Sequence, residues 1–106
     1  MKKVNLETET DLMNRIRLEL SKSGFVVFRA NVGKMTMEDG RWFDSGLPKG
    51  FSDLFAVKDG KVYFIEVKKG ANKPSKSQVN FIEQMRLHGC VAGVVYSVEE
   101  AKGLCK

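Results

Sequence analysis

Apolar residues first recur at helical spacing. Leu12, Met13, Ile16 and Leu20, closed by Gly24, predict a helix over 8–23. The period then changes: Phe25-Val26-Val27-Phe28 is aromatic and β-branched and predicts a strand over 25–30. From 31 to 50 the pattern breaks into irregular, glycine-containing chain, with a candidate small hairpin around Asp39-Gly40. Two strands follow, "DLFAV" and "KVYFIEV", joined at Asp59-Gly60, a dipeptide suited to tight hairpin turns. Helical spacing returns in "SKSQVNFIEQMRLHG", where Ser75 is a good N-cap and Gln78, three residues on, completes a capping-box pattern. Val79, Phe81, Ile82 and Met85 supply its apolar face, and Gly89 ends it. "VAGVVY" predicts a buried strand over 91–96, and 98–104 a short last helix. The order α-β-loop-β-β-α-β-α predicts an α/β fold, a mixed sheet with helices on both faces.

Composition narrows the class without deciding it. The 106 residues carry no internal repeat, linker or low-complexity tract, so one domain spanning 1–106 is expected. Hydrophobic residues at 42% and charged residues at 29% suit a soluble globular chain, and no apolar run is long enough to cross a bilayer. "MKKVNLETETD" lacks the apolar core of a signal peptide. Cys90 and Cys105, with no CxxC or His-rich surroundings, point to a reducing, cytoplasmic setting and away from a zinc site. The net charge of +5 favours polyanionic partners, because cationic side chains displace phosphate counterions. The distribution sharpens this: Lys68, Lys69, Lys73 and Lys76 crowd the segment after the second hairpin strand. With Arg29, Lys34 and Lys49 they are candidate DNA contacts flanking one end of the sheet, although each alone also reads as a solvated charge.

Candidate chemistry sits in the hairpin. With Asp59-Gly60 as the turn, Lys58 faces Lys61, Phe55 faces Phe64, and Asp53 faces Glu66. Directly opposed side chains have Cβ atoms about 5 Å apart and share a face, and Lys68, two residues on, points the same way. Two carboxylates that close repel, so one takes up a proton or a cation sits between them. Oxygen-only ligands match Mg²⁺ or Mn²⁺, which retain water and accept phosphate oxygens. The competing reading is an ion pair between Lys68 and one of the acids.

Asp53 followed by Glu66-Val67-Lys68 resembles the D…ExK signature of the restriction-endonuclease-like, or PD-(D/E)xK, nucleases. The wider pattern is similar to the VRR-NUC family of that superfamily, in "ETDLMNRIRLELSKSGFVVFRANVG", "GLPKGFSDL", "IEVKKG", "SKSQVNFI" and "LHGCVAGVVYS". It looks most like short, stand-alone members, often phage-encoded, which would place it in the cytoplasm of a bacterial host. The resemblance implies the superfamily core, a mixed sheet flanked by helices in the order α-β-β-β-α-β. It implies that Asp53, Glu66 and the main-chain carbonyl of Val67 bind the metal. Lys68 would orient or deprotonate the attacking water, Gln78 would help place Lys68 or that water, and Glu9 would complete the metal's inner or outer shell. Glu7 and Asp11 are alternatives to Glu9. The proline usual before the first acid is here Ser52, behind Gly50. The activity implied is metal-dependent endonucleolytic hydrolysis of branched DNA such as four-way junctions, by a homodimer with no nucleotide cofactor. A non-specific or nicking nuclease, a DNA-binding module without catalysis, and a basic structural protein are the rivals.

Other residues read more plainly. Gln78 is explained equally by capping, and Glu9 by a first-turn acid on the helix dipole. His88 suits a helix C-terminus, Cys90 a buried strand, and Gly33, after Asn31, a turn. Trp42, on the irregular stretch, could stack on a base or enter a dimer contact.

Overall fold

The computed structural model describes residues 7–30, 34–36 and 38–106, without the side chains of 34–36 and 43. Helix α1 (Glu9–Lys22) begins at a capping box in which the Thr8 hydroxyl accepts from the Asp11 N–H and Asp11 accepts from the Thr8 N–H. Its apolar stripe, Leu12, Met13, Ile16 and Leu20, is buried as its spacing requires. Strand β1 (Val26–Arg29) follows, then a small hairpin of β2 (Lys34–Thr36) and β3 (Trp42–Asp44) around Asp39-Gly40. Strands β4 (Leu54–Lys58) and β5 (Lys61–Val67) form the second hairpin. Helix α2 (Lys76–Leu87) crosses to β6 (Val91–Val95), and α3 (Val98–Leu104) ends the chain. No helix among the described residues is long and apolar enough to cross a membrane.

The main sheet has the order β1-β4-β5-β6, antiparallel except for the β5–β6 pair. Alternation divides its residues between two faces. Leu54, Ala56, Tyr63, Ile65 and Val67 point into one core with Ile16, Leu20 and Phe25 from the α1 side and Val98 and Ala101 from α3. Full burial of side chains such as Ile16, Leu54 and Ile65 contributes roughly 1.5–3 kcal/mol each. Glu66, Phe64 and Phe55 point to the other face, where α2 packs on β5 and β6. Phe81 of α2 meets Phe64 at a ring distance of 5.3 Å and Phe51 at 4.7 Å. The cover is narrower than the sheet. Val26 and Phe28 of β1 remain 56% and 44% exposed, with Phe28 stacked on Phe55 at 4.8 Å.

Cys90, expected in the core, is less buried than Cys105. Cys105 is buried in the core and Cys90 only half-buried, and both thiols are free. Burial pushes the Cys105 thiol up to about 11, as suits a packing residue with little thiolate at neutral pH.

Candidate active site

The β4–β5 register runs from Lys58↔Lys61 through Phe55↔Phe64 to Leu54↔Ile65, which brings Asp53 beside Glu66 one step further on. Asp53 stands just before the first residue of β4. Its main-chain oxygen still accepts from the Ala30 N–H at 2.9 Å, so β1 holds this approach in line. Its carboxylate Oδ2 accepts from the Val67 N–H at 2.9 Å. The side chain is thereby tied to the strand that carries Glu66.

Ser52 occupies the position where a proline is usual in the resembled family. It is fully buried, and its hydroxyl donates to the Leu54 carbonyl at 2.8 Å. A local hydrogen bond thus constrains the approach that a proline ring would otherwise restrict.

Glu66 is 1% exposed, an extreme position for a carboxylate. Its Oε1 accepts from Gln78 Nε2 at 3.2 Å, whereas its Oε2 is buried with no hydrogen-bond partner among the described residues. Burial chiefly, then the neighbouring Asp53 carboxylate, which favours a proton shared between the two acids and repels a second charge, push the Glu66 carboxyl up to about 9; Glu9 adds to the rise and Lys68 opposes it. Two acids this close cannot both carry a charge unaided, because no donor among the described residues reaches Oε2 to offset it. The pair therefore calls for a proton or a cation.

The N-terminal acids separate by their partners. Glu7 pairs with Arg15 at 2.6 Å, and Asp11 is engaged in the α1 capping box. Glu9 is the one whose charge reaches Glu66. It does not join a ligand cluster: among the described residues no three or more His, Cys, Asp or Glu side chains gather closely enough to hold an ion. What the structure shows of Glu9 is its charge acting on Glu66. The side chains offer two carboxylates, Asp53 and Glu66, and a metal bound to them would draw its other ligands from main chain, water and phosphate. That donor set, with an orphaned buried oxygen, fits Mg²⁺ or Mn²⁺.

Gln78 touches the site through Glu66, donating to its Oε1. Lys68, half-buried, follows Val67 at the site end of β5, its N–H held by the Val95 carbonyl at 3.0 Å. Lys69 lies half-buried near Asp11, and Lys73 and Lys76 are exposed on the loop and first turn leading into α2. That loop is pinned where the Tyr96 hydroxyl donates to the Asn72 carbonyl at 2.8 Å. Lys49 is exposed beside Gly50, while Arg29 pairs with Leu54 and so belongs to the opposite sheet face at the same end. Lys34 lies on β2, its side chain outside the described residues, as are Asn31 and Gly33. Trp42 is 66% exposed on β3, and His88 is the exposed C-cap of α2.

Two features of the site go beyond what sequence spacing singles out. The aromatic wall of Phe51, Phe64 and Phe81 lies on the sheet face that carries Glu66, and it joins a loop, a strand and a helix that no local spacing links. Gly50, at φ +94°, packs directly against the Ser77 carbonyl in the first turn of α2. The capping-box spacing of Ser75 and Gln78 is the available clue to where that turn sits.

Comparison with known proteins agrees with this architecture. The chain is similar to a solved VRR_NUC domain, with a TM-score of 0.67 at 23% identity over 92% of each chain. It is also similar to the Holliday junction resolvase Hjc of Archaeoglobus fulgidus, with a TM-score of 0.58 at 22% identity, covering 83% of this chain and 67% of that one. No protein-family model and no curated protein sequence matches it. The fold is thus that of the restriction-endonuclease-like nucleases.

Proposed function

We propose that this chain is a metal-dependent DNA endonuclease acting on branched DNA. The observation that carries the reading is the buried Oε2 of Glu66, without a hydrogen-bond partner among the described residues, on a side chain beside Asp53 at the strand end followed by Lys68, Lys69 and Lys73. The fold shared with a Holliday junction resolvase supports the substrate class. Asp53 and Glu66 would hold the ion; when bound it would polarise a phosphodiester and lower the pKa of an attacking water. Asp53, fixed by the Val67 N–H, and Glu66, fixed by Gln78, would present oxygens whose geometry is set before substrate arrives. Lys68 adds positive charge where the phosphate accumulates negative charge, and the neighbouring lysines draw the DNA backbone toward the site.

The test is cleavage of a labelled four-way junction and a matched linear duplex in Mg²⁺ or Mn²⁺, beside Asp53→Asn. Junction cleavage that falls at least about 100-fold in the variant is expected. Equal cutting of both DNAs would leave a non-specific nuclease, and binding without cutting would leave a DNA-binding module.

One site per chain implies two chains to cut two strands, so the reading includes a homodimer. The uncovered Val26 and Phe28 on edge strand β1 are suited to the contact. Phe28→Glu is expected to shift the sedimentation of the protein from dimer to monomer with the fold intact. A monomeric unaltered chain that cuts junctions in pairs would remove the dimer from the reading.

A further inference from the structure

The first turn of α2 uses one side chain twice. Gln78 Oε1 accepts from the Ser75 N–H at 2.8 Å, the Gln78 N–H donates to Ser75 Oγ at 3.2 Å, and Gln78 Nε2 donates to Glu66 Oε1 at 3.2 Å. An amide side chain has one accepting end and one donating end of nearly equal size, so it can ordinarily turn over. Here it cannot without losing both contacts. The Ser75 N–H can only donate, and Glu66 can only accept once it is ionised, as it must be to bind a metal. The N-cap of α2 therefore dictates that a donor faces the carboxylate. It also dictates which Glu66 oxygen is spent: Oε1 is held by Gln78, and Oε2 is left without a hydrogen-bond partner among the described residues.

We infer that Ser75 is a positioning residue for the metal-binding carboxylate, acting through Gln78. Its hydroxyl secures the first turn that carries Gln78, and its backbone sets the amide's polarity. The inference rests on the metal-dependent nuclease reading of the site. It goes further by making a helix cap part of the binding geometry. A cap that served α2 alone would leave metal affinity untouched wherever the protein is folded.

The test is calorimetric titration of Mn²⁺ into the unaltered protein, Ser75→Ala, Gln78→Met, the double variant and Ser75→Thr, all checked for native circular dichroism. Gln78→Met and Ser75→Ala are each expected to weaken Mn²⁺ binding roughly tenfold or more, as loss of a carboxylate's supporting hydrogen bond commonly does. The double variant is expected to bind no more weakly than Gln78→Met alone, because Ser75 acts through that side chain. Ser75→Thr, which keeps the cap, is expected to restore binding. In cleavage assays the single variants shift the Mg²⁺ concentration for half-maximal rate and recover at high Mg²⁺. Unchanged Mn²⁺ affinity in Ser75→Ala, or losses that multiply in the double variant, would overturn the inference and leave Ser75 a structural cap. Should Ser75→Ala fail to fold, unchanged Mn²⁺ affinity in Gln78→Met would overturn it. No Mn²⁺ binding by the unaltered protein would instead overturn the reading of the site itself.

Discussion

Glu66→Gln is expected to melt at a higher temperature than the unaltered chain when both are free of metal at neutral pH, and to cleave no DNA. The two effects have one cause. Glu66 is buried beside Asp53, with a folded-state pKa near 9 against 4.5 for an ordinary glutamate. Below pH 4.5 the carboxyl is protonated in both folded and unfolded chains, and its contribution to stability is fully present. As pH rises toward 9 the unfolded chain releases a proton that the folded chain retains, so stability falls through that window. Each unit of separation corresponds to about 1.4 kcal/mol, which puts the loss at pH 7 on the order of 3 kcal/mol as an upper limit. Glutamine fills the same volume, never ionises, and can turn its NH₂ group toward Asp53. It is expected to raise the melting temperature by roughly 10 °C at pH 7 and to flatten the fall in stability between pH 5 and 9. Divalent metal should reverse the order, because binding to the folded state stabilises the unaltered chain by mass action and leaves the amide variant almost unmoved. Thermal melts across pH, with and without Mg²⁺, measure all of this. A glutamine variant no more stable than the parent without metal would mean that Glu66 is comfortably ionised by the protein alone.

The closeness of the two acids is legible in the sequence alone. Pairing by two from Asp59-Gly60 places Asp53 opposite Glu66, and the observed register keeps that count through Leu54↔Ile65. The helices are legible because their signals are local: apolar spacing in α1, and in α2 a capping box that forms as spaced. What escapes depends on distances between segments far apart in the chain. Gln78 is twelve residues from Glu66, and spacing gives no reason to prefer that partner over Lys68. Glu7, Glu9 and Asp11 follow one another at the start of α1, and only their separate partners, Arg15 for one and Thr8 for another, leave Glu9 to influence the site. The half-covered sheet face is likewise invisible, since Val26 and Phe28 have the apolar character of core residues whether or not a helix reaches them. Cys90 and Cys105 show the same limit from the other side: the approach to a buried strand suggests burial, and the buried thiol is instead the C-cap of the last helix.

Gly50→Ala is expected to cost about 2–4 kcal/mol and to weaken metal binding, although residue 50 carries no functional group. Two costs combine at this position. The backbone has φ +94°, where a side chain costs roughly 1–2 kcal/mol. The second cost is specific to the site: a Cβ there would lie 2.4 Å from the Ser77 carbonyl oxygen and 2.6 Å from its carbon. Those are main-chain atoms of the first turn of α2, so no rotamer change can relieve them. Ordinary contact begins near 3.4 Å, and the turn would have to retreat by roughly 1 Å, carrying Gln78 away from Glu66. Gly89→Ala is the matched control. Its φ is +86°, but a Cβ there meets nothing within 4 Å, so it should cost only the backbone term and leave Mn²⁺ affinity unchanged. Urea unfolding and Mn²⁺ calorimetry on the pair separate strain from displacement. If both variants lose equal stability and both bind metal normally, the contact between Gly50 and α2 is slack. A loss of affinity confined to Gly50→Ala would show that the glycine is needed because a helix carrying the amide of Gln78 must come this close to the segment that leads into Asp53.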